Sequence, residues 1–81
     1  MSENQYIAIR KSIGAQFKKH RLRKKLSYRQ LDAITGIDYS WISKFEKGQV
    51  NFEIDSLIKL CSGLKIQLGE LMDFKHGYVD E

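Results

Sequence analysis

The chain has 81 residues, 42% of them apolar, and we expect one small domain with a compact core rather than a disordered chain. It has no run of eighteen apolar residues and only one cysteine, Cys61, which excludes a membrane-spanning helix and an intramolecular disulfide. The net charge of +4 is uneven: residues 1–40 carry nine basic and three acidic residues (+6), and residues 41–81 carry five and seven (−2).

Apolar residues recur at helical spacing throughout the chain, and this pattern predicts five helices and no sheet. The first helix is expected over about residues 7–25. Its inner stripe is predicted to contain Ile9, Ile13 and Phe17, and its end to be closed by Leu22 and Leu26.

Positive charge is concentrated in this first helix and just after it. Nine of the fourteen basic residues lie from Arg10 to Arg29, with no acidic residue among them. Such a concentration favours a polyanionic partner, with nucleic acid as the leading class and an anionic membrane surface second. The charge run alone is equally compatible with an ordinary solvated helix face.

The second helix is predicted to begin at Ser27, because Ser27 and Gln30 have the spacing of a capping box. It should bury Leu31 and Ile34 and end at Gly36, since glycine readily adopts a positive φ.

The third helix is expected to open at Asp38, a good cap residue, and to span residues 38–47 before Gly48. At 100° per residue its side chains separate into two faces. The apolar face is predicted to contain Trp41, Ile42 and Phe45. The polar face is predicted to contain Tyr39, Ser40, Ser43, Lys44 and Lys47.

The fourth helix is expected over about residues 52–64, capped by Asn51, and the fifth over about 67–74. The inward residues of the fourth are predicted to be Ile54, Leu57, Ile58, Leu60 and Cys61, and those of the fifth Leu68, Leu71 and Met72. We expect an N-terminal extension at 1–12, which can form part of helix one, a domain at 13–74 and a loose tail at 75–81.

A short helix, a turn containing glycine and a second amphipathic helix form a helix-turn-helix arrangement. The segments IGAQFKKHRLRKKLSYRQL, ITGIDYSWISKFEKG and DSLIKLCSGLKIQLGELM resemble the phage-repressor and Cro-type (XRE-type) helix-turn-helix family over about residues 13–74. The resemblance implies an all-α, five-helix, lambda-repressor-like DNA-binding domain. Its second helix would cross the DNA backbone, and its third would enter the major groove.

The resemblance also implies roles for particular residues. Glu46, in the acid-basic-glycine ending of the third helix, is expected to form a structural ion pair with Arg21. Base contacts are implied for Tyr39, Ser40, Ser43 and Lys44. Phosphate contacts are implied for Ser27, Tyr28, Arg29, Lys47, Gln49 and Asn51.

Several positions depart from the family pattern. Asp32 replaces a small residue between the two motif helices, so its carboxylate must lean outward or find a local donor. Phe52 stands in place of the usual proline, and Lys65 in place of a helix-ending glycine, which implies a left-handed lysine or a different turn. Tyr28 replaces a glutamine that contacts DNA. Trp41 either packs on the domain or a partner, or contacts the DNA backbone or a thymine methyl.

We therefore expect a small, repressor-like transcriptional regulator that binds specific double-stranded DNA as a homodimer on a pseudo-palindromic operator, with helix five, Phe74 and Tyr78 near the dimer interface. A Cro-like repressor, a restriction-modification controller and an antitoxin fit equally well. The alternative is an antitoxin or other protein-interaction module whose DNA binding serves autoregulation, and a membrane-surface role is third. We expect a cytoplasmic location and no catalysis, cofactor, metal, small-molecule ligand or membrane partner.

Overall fold

The computed structural model of the chain describes residues 2–75. The part of the tail predicted at 76–81, including Tyr78, lies outside these residues. Five helices follow in order, and residues 2–75 contain no strand, so the all-α prediction is confirmed. The helices are α1 (Glu3–Arg23), α2 (Tyr28–Thr35), α3 (Tyr39–Glu46), α4 (Ile54–Leu64) and α5 (Leu68–Leu71).

Helix α1 begins four residues earlier than the apolar pattern predicted, because a capping box starts it. The Ser2 hydroxyl accepts from the Gln5 amide at 3.4 Å, and the Ser2 amide donates to Gln5 Oε1 at 2.7 Å. Residues 3–12 therefore form the first half of one 21-residue helix, about 31 Å long. No helix within the described residues is apolar enough over enough length to cross a membrane.

The core lies between the five helices: α1 packs on α3 and α5, α2 packs on α3 and α4, and α4 packs on α5. Its largest fully buried side chains are Phe17, Leu31, Ile42, Phe45, Leu60, Leu64 and Leu71. Phe45 is central, since Phe17 packs edge-on against it at 5.3 Å and Phe52 at 5.1 Å between ring centroids. Phe52, at the position where the family has a proline, thus contributes to the aromatic core.

Four residues predicted to face inward are instead more than half exposed: Leu22, Ile34, Ile54 and Ile58. In a five-helix domain of this size, each helix is covered along one narrow stripe. The inner stripe of α4 consists of Leu57, Leu60, Cys61 and Leu64, so Ile54 and Ile58 flank it. The apolar residues of these helices therefore span a wider face than the neighbouring helices cover.

Two predicted boundaries were also wrong. Helix α4 begins at Ile54 after Glu53, with no side-chain cap bond, so Asn51 does not cap it. Helix α5 ends at Leu71, although Met72 and Phe74 still pack against the core. Lys65, the residue that follows α4, adopts the left-handed conformation with φ 57°, one of the two outcomes expected for a lysine there.

Candidate nucleic-acid interface

Helices α2 and α3 form a helix-turn-helix, in which a capping box starts α2 and a glycine turns the chain toward α3. The capping box predicted at the start of α2 is confirmed: Ser27 Oγ accepts from the Gln30 amide at 3.1 Å, and the Ser27 amide donates to Gln30 Oε1 at 2.7 Å. The helix ends at Gly36, which has φ 77°. The left-handed glycine turns the chain sharply, and α3 starts three residues later.

Two aspartates accept hydrogen bonds from the first amides of α3. Asp38 Oδ2 accepts from the amides of Ser40 at 3.1 Å and Trp41 at 3.3 Å. Asp32, on α2, accepts from the Tyr39 amide at 2.9 Å. The Asp32 carboxylate, at the position where the family has a small residue, therefore accepts a hydrogen bond from the next helix and links α2 to α3. Sequence reasoning had not identified this donor.

The two faces of α3 have different environments. Ile42, Phe45 and Glu46 are buried, and half-buried Trp41 stacks on Phe45 at 5.6 Å between ring centroids. Trp41 therefore packs on the domain, one of the two alternatives left open by the sequence. The opposite face contains the predicted base-contact residues: Tyr39, Ser40 and Lys44 are exposed, and Ser43 is half-buried.

Arg29 and Tyr39, predicted to contact phosphate and a base, lie against each other. The Arg29 guanidinium carbon lies 4.6 Å from the centroid of the Tyr39 ring. A cation at this distance over an aromatic face is attracted by the ring quadrupole. The contact joins the exposed side of α2 to the start of α3, so these two side chains present one surface.

The structure brings Arg21 and Glu46 together across α1 and α3. Arg21 Nε donates to Glu46 Oε2 at 2.8 Å, and Arg21 Nη2 donates to Oε1 at 3.0 Å. The two side chains are only 11% and 4% exposed. A third donor, Arg21 Nη1, reaches the Leu26 carbonyl at 2.9 Å. This forked, nearly buried geometry orients the end of α3 relative to α1.

Tyr28 is a third member of this cluster, a role that the sequence did not predict. Its hydroxyl donates to Glu46 Oε1 at 2.9 Å, and the Arg21 guanidinium carbon lies 4.3 Å from its ring centroid. Burial, followed by the hydrogen bond to Glu46, raises the pKa of Tyr28 above its ordinary value. The only available signal was an aromatic residue at the family's glutamine position. A phosphate contact by Tyr28 stays a prediction, and its hydroxyl proton is directed to Glu46.

The remaining predicted phosphate contacts, Lys47, Gln49 and Asn51, are exposed in the loop that follows α3. This loop lies directly against α1: a Cβ added at Gly48 would lie 2.8 Å from the Lys11 amide nitrogen. Lys11, in the first half of α1, is thereby placed next to the loop.

Comparison with known proteins agrees with this geometry. The family of Cro/C1-type helix-turn-helix DNA-binding domains matches residues 17–77. The chain is 31% identical to the restriction-modification controller protein C.AhdI from Aeromonas hydrophila, with a TM-score of 0.76 over 79% of this chain and 97% of that one. The fold is shared with the clp gene regulator ClgR from C. glutamicum, at 20% identity and a TM-score of 0.75 over 79% and 83% of the two chains. The comparison with curated proteins gave no significant match.

The family match covers most of the chain, and it agrees with the capped α2, the Gly36 turn and the outward polar face of α3. Regulators of this family are not enzymes. We conclude that the chain belongs to the Cro/C1-type helix-turn-helix DNA-binding family and is a transcriptional regulator that binds double-stranded DNA.

Proposed function

We propose that the protein is a sequence-specific regulator that inserts α3 into the major groove and occupies an operator as a repressor does. The observation that supports this most directly is the arrangement of α3. Its apolar side is buried, its end is held by Arg21 and Tyr28 through Glu46, and its polar side is exposed. A rigidly held helix with an exposed polar face has the form needed to read base edges.

Within this proposal, Tyr39, Ser40, Ser43 and Lys44 contact bases. The residues proposed to contact phosphate are Ser27, Tyr28, Arg29, Lys47, Gln49 and Asn51. The amides at the start of α2 add a favourable site for a phosphate, since a helix N-terminus carries partial positive charge. Lys44 is long enough to donate to the O6 and N7 atoms of guanine.

We further propose that the protein binds a pseudo-palindromic operator as a homodimer, with recognition helices about 34 Å apart. The region of α5, where Leu68, Met72 and Phe74 are half-buried, is the proposed interface. Among small regulators of this shape, we favour a restriction-modification controller over an antitoxin, because such a controller is 31% identical over 97% of its length.

Salt-dependent DNA binding tests this function. Fragments of the source genome are selected for binding, and affinity is measured for the best fragment and for random duplex DNA. A regulator that makes six to ten phosphate contacts should lose about 10³–10⁵ in affinity between about 50 and 200 mM salt. Affinity that does not change with salt, no preference among sequences, or equal binding to anionic vesicles would reject the proposal.

A further inference from the structure

The hydroxyl of Ser40, at the exposed start of α3, already donates its proton within the protein. Ser40 Oγ is hydrogen bonded to Asp38 Oδ2, the oxygen that also accepts from the Ser40 and Trp41 amides. An ionised carboxylate has no proton to donate. The shared proton therefore belongs to Ser40, and Ser40 is the donor in this bond.

Asp38 stays ionised at neutral pH. The hydrogen bond from Ser40 lowers the pKa of Asp38 below its ordinary value, and the Trp41 and Ser40 amides and the charge of Lys44 act in the same direction. Hydrogen bonds to an ionised acceptor are stronger than those between neutral groups. A neutral base oxygen or nitrogen is therefore a weaker acceptor for the Ser40 proton than Asp38 is.

The direction of this bond limits what Ser40 can offer to DNA. A hydroxyl has one proton and two acceptor lone pairs. Because its proton is directed to Asp38, Ser40 presents only acceptor lone pairs to the DNA. In the major groove, the donors are the amino groups of cytosine N4 and adenine N6, whereas guanine presents only the acceptors O6 and N7 and thymine only the acceptor O4; adenine also has an acceptor, N7.

We propose that Asp38 is a positioning residue that holds Ser40 as a hydrogen-bond acceptor, so that α3 selects adenine or cytosine over guanine or thymine where Ser40 meets the contacted strand. This rests on the proposed function, in which α3 lies in the major groove. Lys44, one turn further along the same face, is a pure donor and favours guanine O6 and N7. The recognition surface thus carries an acceptor at its N-terminal end and a donor one turn later.

Binding to a panel of operators with every single-base substitution tests this inference. The wild type should prefer adenine or cytosine at one position by about five- to 150-fold over guanine or thymine, the usual range for one base pair. Ser40→Ala should lose that preference and keep the preferences at other positions, whereas Ser40→Thr should retain it. Ser62→Ala, on the exposed side of α4, is the matched control and should change nothing.

Asp38→Asn separates positioning from capping. Asparagine caps a helix about as well as aspartate, because its oxygen still accepts from the amides. The asparagine oxygen that takes the place of Asp38 Oδ2 is uncharged, so it holds the Ser40 proton less strongly and leaves it more available to DNA. The preference at the Ser40 position should therefore weaken while the melting temperature stays close to that of the wild type. Asp73→Asn, which removes one exposed charge elsewhere, is the control. Should Asp38→Asn fail to fold, Asp38→Ser provides an uncharged cap of similar strength.

Several results would overturn the inference while leaving the proposed function intact. One is a preference that disappears in Asp38→Asn but persists in Ser40→Ala, since Asp38 would then read the base itself. Others are unchanged preferences in both variants, or a wild-type preference for guanine or thymine at the position sensitive to Ser40→Ala. If the wild type binds no DNA sequence selectively, the proposed function fails and the inference fails with it.

Discussion

The carboxylate of Glu46 accepts hydrogen bonds from Arg21 on α1 and from Tyr28 on α2, so three helices meet at one buried charge. Removing one partner of a buried ion pair is far more costly than removing an exposed one, because the remaining charge keeps its desolvation penalty. The stability of this domain should therefore depend strongly on these three side chains.

Replacing Glu46 with alanine leaves the Arg21 guanidinium nearly buried without its carboxylate. We expect the free energy of unfolding to fall by about 3–5 kcal/mol, measured by denaturant titration. Glu46→Gln is the matched control, because it keeps an oxygen that accepts from Tyr28 and should lose less. An unchanged melting temperature in Glu46→Ala would show that the pair does not anchor α3 to α1.

Replacing Tyr28 with phenylalanine removes one hydrogen bond to a charged acceptor and should lower the free energy of unfolding by about 1.5–3 kcal/mol. The folded state raises the pKa of Tyr28 above 10.0, so it favours the protonated phenol. The contribution of Tyr28 to the free energy of unfolding is therefore fully present below pH 10, and it is lost as the pH rises through the raised pKa. Unfolding measured from pH 8 to 11 should show the difference between wild type and Tyr28→Phe shrinking at alkaline pH. A difference that grows with pH would contradict this assignment.

Lys44 is exposed on the polar side of α3, where we propose a base contact. Lys44→Ala should weaken operator binding by about 1–3 kcal/mol, with the loss concentrated at one base position. Lys59→Ala removes an equal charge from the exposed side of α4 and should have a smaller effect. An equal loss of affinity on all sequences would indicate that Lys44 contacts a phosphate instead of a base.

At the scale of elements, α1 crosses the end of α3 at Gly14. A Cβ at this position would lie 2.2 Å from the Glu46 carbonyl oxygen and 2.9 Å from that of Phe45. These are backbone atoms in a helix that the core holds in place, so they cannot rotate away as a flexible side chain can. Gly14 is therefore required by the close approach of two helices.

Gly14→Ala should accordingly destabilise the domain, even though alanine favours a helix interior by about 1 kcal/mol. We expect a loss of about 1–3 kcal/mol, typical of overpacking, in thermal or denaturant unfolding. Gly69→Ala in α5 is the control, since nothing lies within 4 Å of the added Cβ. It should leave stability equal or slightly higher. A stabilised Gly14→Ala would mean that α1 and α3 separate easily.

At the scale of the whole molecule, the proposed homodimer places two α3 helices on one side of the DNA. Inserting five base pairs between the operator half-sites rotates one half-site by about half a turn relative to the other. Affinity should then fall to that of an isolated half-site, and inserting ten base pairs should restore part of it. Equal affinity for all three spacings, measured by titration of labelled duplexes, would indicate binding as a monomer.

The sequence by itself determined the helices and their order. The capping box of Ser27 and Gln30, the turn at Gly36 and the acid-basic-glycine ending at Glu46 are short-range signals, because each depends on residues within one helical turn. The family resemblance added the pairing of Arg21 with Glu46. Both kinds of signal can be recognised in the sequence without knowing how the helices pack.

Only the tertiary structure decided which apolar residues are covered and which polar groups meet. Ile54 and Ile58 match helical periodicity but are exposed, because periodicity does not reveal how wide the covering surface is. Tyr28 donates to Glu46 eighteen residues away, and Asp32 accepts from the amide of Tyr39 across the turn. Such contacts depend on the crossing of helices, and helix crossing is set by the whole core rather than by any local stretch of sequence.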